Sequence, residues 1–239
     1  MSLAVSLATA CASGDSTPVL VSAAASLTDA FAAIESAFEE ANPGVDVVLN
    51  LGGSSALREQ ILEGAPADVF ASANLSNMDQ IVESGAVAGE PSIFARNLLQ
   101  IAVPAGNPAG ITGLTDFGRD ELLIGLCAEG VPCGEFARDA LDAAGVIPAT
   151  DTDEPDVRAL LTKIEAGELD AGITYVSDVV SADGSVEGID IPDDENVVAV
   201  YPIAVLAESA SPEESEDFVD FVLSAAGQAI LVEHGFAAP

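Results

Sequence analysis

The sequence predicts an α/β protein made of two α/β units. Strand-like apolar runs alternate with amphipathic helical runs from residue 18 to 85, in β-α-β-α-β order. That order implies a parallel sheet with right-handed crossovers. The chain has 239 residues and is 49% hydrophobic, which allows one large domain or two lobes, each with a core. Two long apolar runs, 97–106 and 195–209, are the candidate crossings between the units.

The elements follow in order. Residues 18–23 (PVLVSA) read as a strand, and a helix follows from 26 to about 41. The turn between them, AAASLT, is small and uncharged. Residues 45–50 (VDVVLN) are a strand, and after GGSS a helix runs from about 55 to 63. Residues 67–72 are a short strand, followed by the short helix LSNMDQIVESG with Asn74 or Ser76 near its start. The strand 97–106 ends in Pro-Gly punctuation, and 122–130 is another strand. VPCGEFARDALDAAG is a helix with Pro132 at its first position, where the missing N–H has no intrahelical partner to lose. PDVRALLTKIEAGE is a helix capped by Asp156, and its one lysine, Lys163, falls on the outward face. LDAGITYVSDVVSA holds a strand and a turn into a short helix; 195–209 is a long strand. A terminal helix pair begins at Ser211, Pro212 and Glu214. The acidic stretch DTDEPD (151–156) lacks the spacing and the glycine of an EF-hand and reads as a solvated loop ending in a helix cap.

Charge narrows the partners. Forty Asp+Glu face six Lys+Arg, a formal charge of −34, which disfavours nucleic acid and anionic membranes. Residues 1–17 differ from the rest. SLAVSLATAC resembles the end of a lipoprotein signal with Cys11 as the lipidated residue, and ASGDSTP follows as a polar tether. An extracytoplasmic location is expected, with membrane contact only through that lipid. Cys127 and Cys133 lie six apart and read as a disulfide in an exported chain. A metal site is disfavoured because the single histidine, His234, is far away in sequence and sits at a helix end, where capping is its role.

No catalytic constellation emerges. GGSSA is not a G-x-S-x-G elbow, no glycine-rich loop ends in Gly-Lys-Ser/Thr, and no Cys/His cluster has zinc spacing. The chain is expected not to be an enzyme and to need no cofactor. What recurs is a strand or turn that opens a helix on small or hydroxyl residues: at Ser26, at Ser54-Ser55, at Pro132-Cys133-Gly134 and at Asp156-Val157. Each supplies backbone N–H groups without intrahelical acceptors and the positive end of a helix dipole. Taken singly each is ordinary helix capping. Two from each half of the chain suggest an anion site in a cleft between lobes.

Here a resemblance becomes specific. AAASLTDAF, GGSSALREQILEGAPADVFASA, VPCGEFARDAL, DVRALL and GITYVSDV occur in that order. The chain from about 18 to 237 resembles the periplasmic molybdate-binding proteins of ABC importers. The resemblance implies a two-lobed type II periplasmic-binding-protein fold, each lobe a mostly parallel sheet flanked by helices, with the ligand cleft between them. It places residues 18–98 and 203–239 in lobe 1 and 99–202 in lobe 2. It implies that the oxyanion is held by hydrogen bonds alone. Ser26 and Ser54 would each give a hydroxyl and a backbone N–H, Cys133 and Val157 a backbone N–H, and Tyr175 its phenolic hydroxyl. Molybdenum would be bound as the oxyanion, not as a cation, with tungstate a comparable ligand. The partner would be the importer's membrane permease, and the protein a monomer. The alternatives are a binder of another tetraoxyanion such as sulfate, and a ligand-sensing domain of the same fold. An iron-binding relative would want clustered tyrosine, and Tyr175 and Tyr201 are far apart in sequence.

Overall fold

Buried strands set the frame in the computed structural model, which describes residues 18–239. The first lobe holds β1 (Val19–Ala24), β2 (Val47–Gly52) and β3 (Val69–Ala71), with helices α1 (Thr28–Ala41), α2 (Ser54–Leu62) and α3 (Leu75–Glu83). The long strand β4 (Ser92–Pro104) leaves it. The second lobe holds β5 (Ile124–Cys127), β6 (Thr150–Glu154), β7 (Ala171–Tyr175) and β8 (Val186–Asp190), with α4 (Pro132–Ala143), α5 (Val157–Glu165) and α6 (Val176–Ser181). Strand β9 (Val198–Val205) returns to the first lobe, and α7 (Pro212–Leu223) and α8 (Ala225–Glu233) close the chain there.

The strand order is β2-β1-β3-β9-β4-β7-β5-β6, with β8 on the free side of β4. The expected parallel pairing holds for β2-β1-β3 and for β6-β5-β7. The crossing strands run antiparallel to their neighbours. Strand β4 serves both sheets: Ser92 to Leu98 pair with β9, whereas Leu99 to Pro104 pair with β7 and β8. The lobes therefore share a ribbon of two strands, β4 and β9, and all nine strands form one curled sheet.

Each helix buries one stripe on its sheet. On α1 the stripe is Ala30, Phe31, Ile34 and Phe38, spaced three and four apart as a helical face requires. Phe38 meets Phe218 of α7 edge to face at 5.4 Å between ring centroids. Burying a phenylalanine side chain stabilises by roughly 1.5–3 kcal/mol, so these rings fix α1 and α7 against the sheet.

Several elements differ from the sequence expectation. Strand β4 begins five residues before 97, because Ser92 to Leu98 find a full partner in β9. The acidic residues 151–154 are not a loop but belong to edge strand β6, which pairs in parallel with β5. Their backbone gains ladder hydrogen bonds while alternate side chains stay in water, as charged edge strands do. Strand β8 was not foreseen in VEGID. Lys163 does not simply face outward: its ammonium pairs with the buried carboxylate of Glu154. His234 stands at the C-cap of α8, as expected. A disulfide joins Cys127 and Cys133 with a Cα–Cα distance of 5.7 Å, inside the range that needs no backbone distortion. Among the described residues no helix is long and apolar enough to cross a membrane. Cys11 lies outside the described residues.

Candidate functional site

The chain folds so that four helix starts converge. Strand β1 runs into a 3-10 turn, Ala25–Leu27, before α1 begins at Thr28. Ser26 is thus the second residue of a tight turn rather than the start of the α-helix. Its N–H lies in a first turn, where backbone donors lack internal acceptors. Ser54 is the first residue of α2, after Gly53 as N-cap. Cys133 follows Pro132 at the start of α4. Val157 is the first residue of α5, capped by Asp156. Tyr175 ends β7 and caps α6.

All five line one small cavity, together with Ala24, Ala25, Gly53, Ala73, Val131, Pro132 and Asp156. Both lobes contribute to its wall. They approach closely: a Cβ on Gly53 would lie 2.9 Å from the Pro155 carbonyl oxygen of the other lobe. Gly134 plays a matching part within its lobe. A Cβ there would sit 2.1 Å from the Ala128 carbonyl oxygen, so glycine lets the start of α4 pack on the end of β5.

The side chains leave the amides free. The Asp156 carboxylate accepts from the N–H groups of Arg158 and Ala159, both at 2.9 Å, which leaves the Val157 N–H uncapped. Ser54 does not cap its own helix; its Oγ accepts the Ala73 N–H at 3.0 Å. Because a hydroxyl has one hydrogen, Ser54 then has that hydrogen to give. Ser26 Oγ lies 2.9 Å from the Tyr201 hydroxyl. The Tyr175 hydroxyl is buried and makes no hydrogen bond within the protein. Burial, then the nearby Tyr201 and Asp178, push its ionisation well up, so it remains a protonated donor.

Among the described residues no Lys or Arg lines the cavity. Arg158, next to Val157, turns instead to Asp29 at 2.9 Å and to Ser181 at 2.8 Å. Arg58 turns to Asn77 and Glu59, and Arg138 to Asp153 and the Cys127 carbonyl oxygen. Arg96 lies exposed on the surface. Among the described residues the one charged group in the wall is Asp156, whose Oδ1 accepts the two N–H groups of its own helix. The arrangement offers seven donors from Ser26, Ser54, Cys133, Val157 and Tyr175, with few acceptors. It suits a small, fully ionised anion, because every protein hydrogen meets a lone pair. A guest carrying its own O–H would set that hydrogen against a donor.

The five residues expected from the sequence line this one cavity; the groups standing behind them were not among those expected. Tyr201 and Tyr175, 26 apart in the chain, are neighbours with ring centroids 6.2 Å apart. Asp178 is buried beneath Tyr175 and accepts its backbone N–H at 3.0 Å. The first relation is set by β4, which pairs with both β7 and β9, and no local pattern reports it; the second is the contact between the N-cap and the third residue of α6, three apart in the chain.

Known proteins place this geometry. The chain matches the bacterial extracellular solute-binding protein family over residues 19–237. It is 42% identical over 221 residues to the molybdate-binding protein ModA of Mycobacterium bovis, covering 92% of this chain and 85% of that one. The structure resembles the periplasmic molybdate-binding protein of Azotobacter vinelandii, with a TM-score of 0.82 at 18% identity over 92% of this chain and 99% of that one. It also resembles the sulfate-binding protein SubI of Mycobacterium tuberculosis, with a TM-score of 0.81 at 19% identity over 93% of this chain and 87% of that one. Those last two likenesses speak to the two-lobed fold alone.

Proposed function

Because the chain belongs to the family of bacterial extracellular solute-binding proteins, we propose that it is the capture component of an ABC importer and that its ligand is molybdate. The anion sits in the cavity between the lobes and is held by the hydroxyls and N–H groups of Ser26 and Ser54, the N–H groups of Cys133 and Val157, and the hydroxyl of Tyr175. The chain then delivers it to a membrane permease. It works as a monomer outside the cytoplasm, tethered by a lipid on Cys11. Residues 18–98 with 203–239 move as one lobe and 99–202 as the other, with the β4–β9 ribbon as the hinge.

The observation that carries this reading is the Tyr175 hydroxyl. It is buried, has no hydrogen-bond partner among the described residues and lines the same cavity as Ser26, Ser54, Cys133 and Val157. Leaving such a group unpaired costs about 1–3 kcal/mol, and an anion's oxygen removes that cost. The 42% identity to a molybdate-binding protein supports the choice of anion. The excess of donors in the wall disfavours hydrogen phosphate, whose own O–H would face a donor. Tungstate, equal in charge and shape, is expected to bind comparably.

Isothermal titration with molybdate, tungstate, sulfate and hydrogen phosphate tests the reading. One equivalent of molybdate or tungstate should bind tightly, sulfate weakly and hydrogen phosphate not at all. Tight sulfate with no molybdate binding would replace this reading by that of a sulfate carrier.

A further inference from the structure

Behind Ser26 lies a second phenol that does not line the cavity. Tyr201 is wholly buried on β9, with its ring packed edge to face on Phe94, Tyr175 and Phe236. Its hydroxyl is 2.9 Å from Ser26 Oγ. Either oxygen of that pair can donate. Ser26 lines the cavity and Tyr201 does not. With an anion in the cavity, the arrangement that gives each of the two hydrogens an acceptor runs from Tyr201 to Ser26 Oγ and from Ser26 to the anion.

We propose that Tyr201 is a positioning and specificity residue: by donating to Ser26 Oγ it makes the Ser26 hydroxyl an obligate donor to the anion. The inference rests on the reading of the cavity as a tetraoxyanion site. A free serine hydroxyl can give or take one hydrogen. With its lone pair facing the Tyr201 proton, it is turned to give. Ser54 is set in the same sense by a different group, the Ala73 N–H. Both serine hydroxyls in the wall are therefore polarised outward from the protein, one by a phenol and one by an amide. Serine hydroxyls that cannot reverse offer no acceptor to the O–H of hydrogen phosphate or hydrogen arsenate. They keep full strength toward anions without a proton. Selectivity is thus built one layer behind the residues that touch the guest.

The test is a double-mutant cycle with Tyr201→Phe, which keeps the ring and removes the hydroxyl. Molybdate affinity, and its ratio to that of hydrogen phosphate measured by competition, are read in four chains: native, Tyr201→Phe, Ser26→Ala and the double variant. Tyr201→Phe alone should weaken molybdate about tenfold, the worth of one modest hydrogen bond, and narrow the ratio to hydrogen phosphate. In the Ser26→Ala background it should change neither. Equal losses in both backgrounds, or an unchanged ratio, overturn the assignment and leave Tyr201 a packing residue. If the native chain fails to bind molybdate, the functional reading falls and takes this inference with it. Should Tyr201→Phe not fold, the question is put to the native chain. It has two tyrosines, so ring carbons labelled at the ζ position give two signals, assigned with Tyr175→Phe. The Tyr201 signal should show a hydroxyl donating both before and after molybdate, while that of Tyr175 becomes a donor only on binding. A Tyr201 hydroxyl that accepts from Ser26 reverses the direction and sinks the proposal.

Discussion

Asp29 and Arg158 join the two lobes. The Asp29 carboxylate, in the first turn of α1, lies 2.9 Å from the Arg158 guanidinium in the first turn of α5. Each stands next to a cavity-lining segment, Asp29 three residues past Ser26 and Arg158 one past Val157. A second link runs from the Asn74 amide to the Glu135 carboxylate at 3.2 Å. Both lobes are thus tied beside the anion site by groups that do not line it.

Arg158→Ala should therefore loosen closure without removing a donor. The pair is more than a third exposed on the Asp29 side, and such pairs contribute at most about 1 kcal/mol. Molybdate should bind up to about fivefold more weakly, through faster release. The difference should shrink in high salt, which screens the pair. Stopped-flow release rates at two salt concentrations check this. A much larger loss that ignores salt would place the guanidinium on the anion itself.

Ser26→Ala and Ser54→Ala should each weaken molybdate binding by about 10- to 150-fold, since a hydrogen bond to a charged group contributes roughly 1.5–3 kcal/mol. Each change also removes a buried hydrogen-bond partner, that of the Tyr201 hydroxyl for Ser26 and that of the Ala73 N–H for Ser54, and each should lower the melting temperature. Calorimetry with unchanged affinity in both variants would remove these residues from the site.

How much of this was legible in the chain follows from distance along it. The helix starts at Ser54, Cys133 and Val157 were legible because a helix start is written in neighbouring residues: Gly53, Pro132 and Asp156. The α1 stripe was legible for the same reason. Ser26 was placed at the start of an α-helix, because the small residues of AAASLT do not distinguish a 3-10 turn from an α turn. The Ser26–Tyr201 contact spans 175 residues and the Arg158–Asp29 pair 129. Such contacts are fixed by sheet register, which no local pattern encodes. Strand β6 was misread because its acidic side chains report only solvent. Its backbone pairing with β5 leaves no mark on composition.

The Cys127–Cys133 disulfide holds the start of α4 against the end of β5. It closes a short loop, for which the chain-entropy account gives about 2 kcal/mol. Reduction should lower stability by about that much while molybdate affinity changes little, because the Cys133 contribution is its backbone N–H. Denaturant unfolding and calorimetry, each with and without reductant, decide it. Free thiols at both positions in the exported protein would remove the bond.

Asp178 should make both stability and binding depend on pH. It is buried; one carboxylate oxygen accepts the Tyr175 N–H at 3.0 Å and the other has no hydrogen-bond partner. Its pKa is raised to about 7, chiefly by burial and also by Asp29 and Asp156, against the Tyr175 amide and Arg158, which lower it. In the unfolded chain it titrates near 3.9. Between those values the folded chain keeps a proton that the unfolded chain has lost. Its contribution to stability is therefore most favourable below about pH 4 and is lost as pH rises through about 7. Asp178→Asn keeps an acceptor for the Tyr175 N–H and cannot ionise. It should be more stable than the native chain at about pH 8, by a few kcal/mol, and the advantage should fade toward about pH 4. The same charge lies beneath Tyr175, so a dianion in the cavity favours the protonated carboxyl. At about pH 8 molybdate binding should take up a fraction of a proton, seen as a binding enthalpy that varies with the ionisation enthalpy of the buffer. Asp178→Asn should abolish that uptake. If the variant takes up as much as the native chain, the proton goes elsewhere and Asp178 carries no part of the pH dependence of binding.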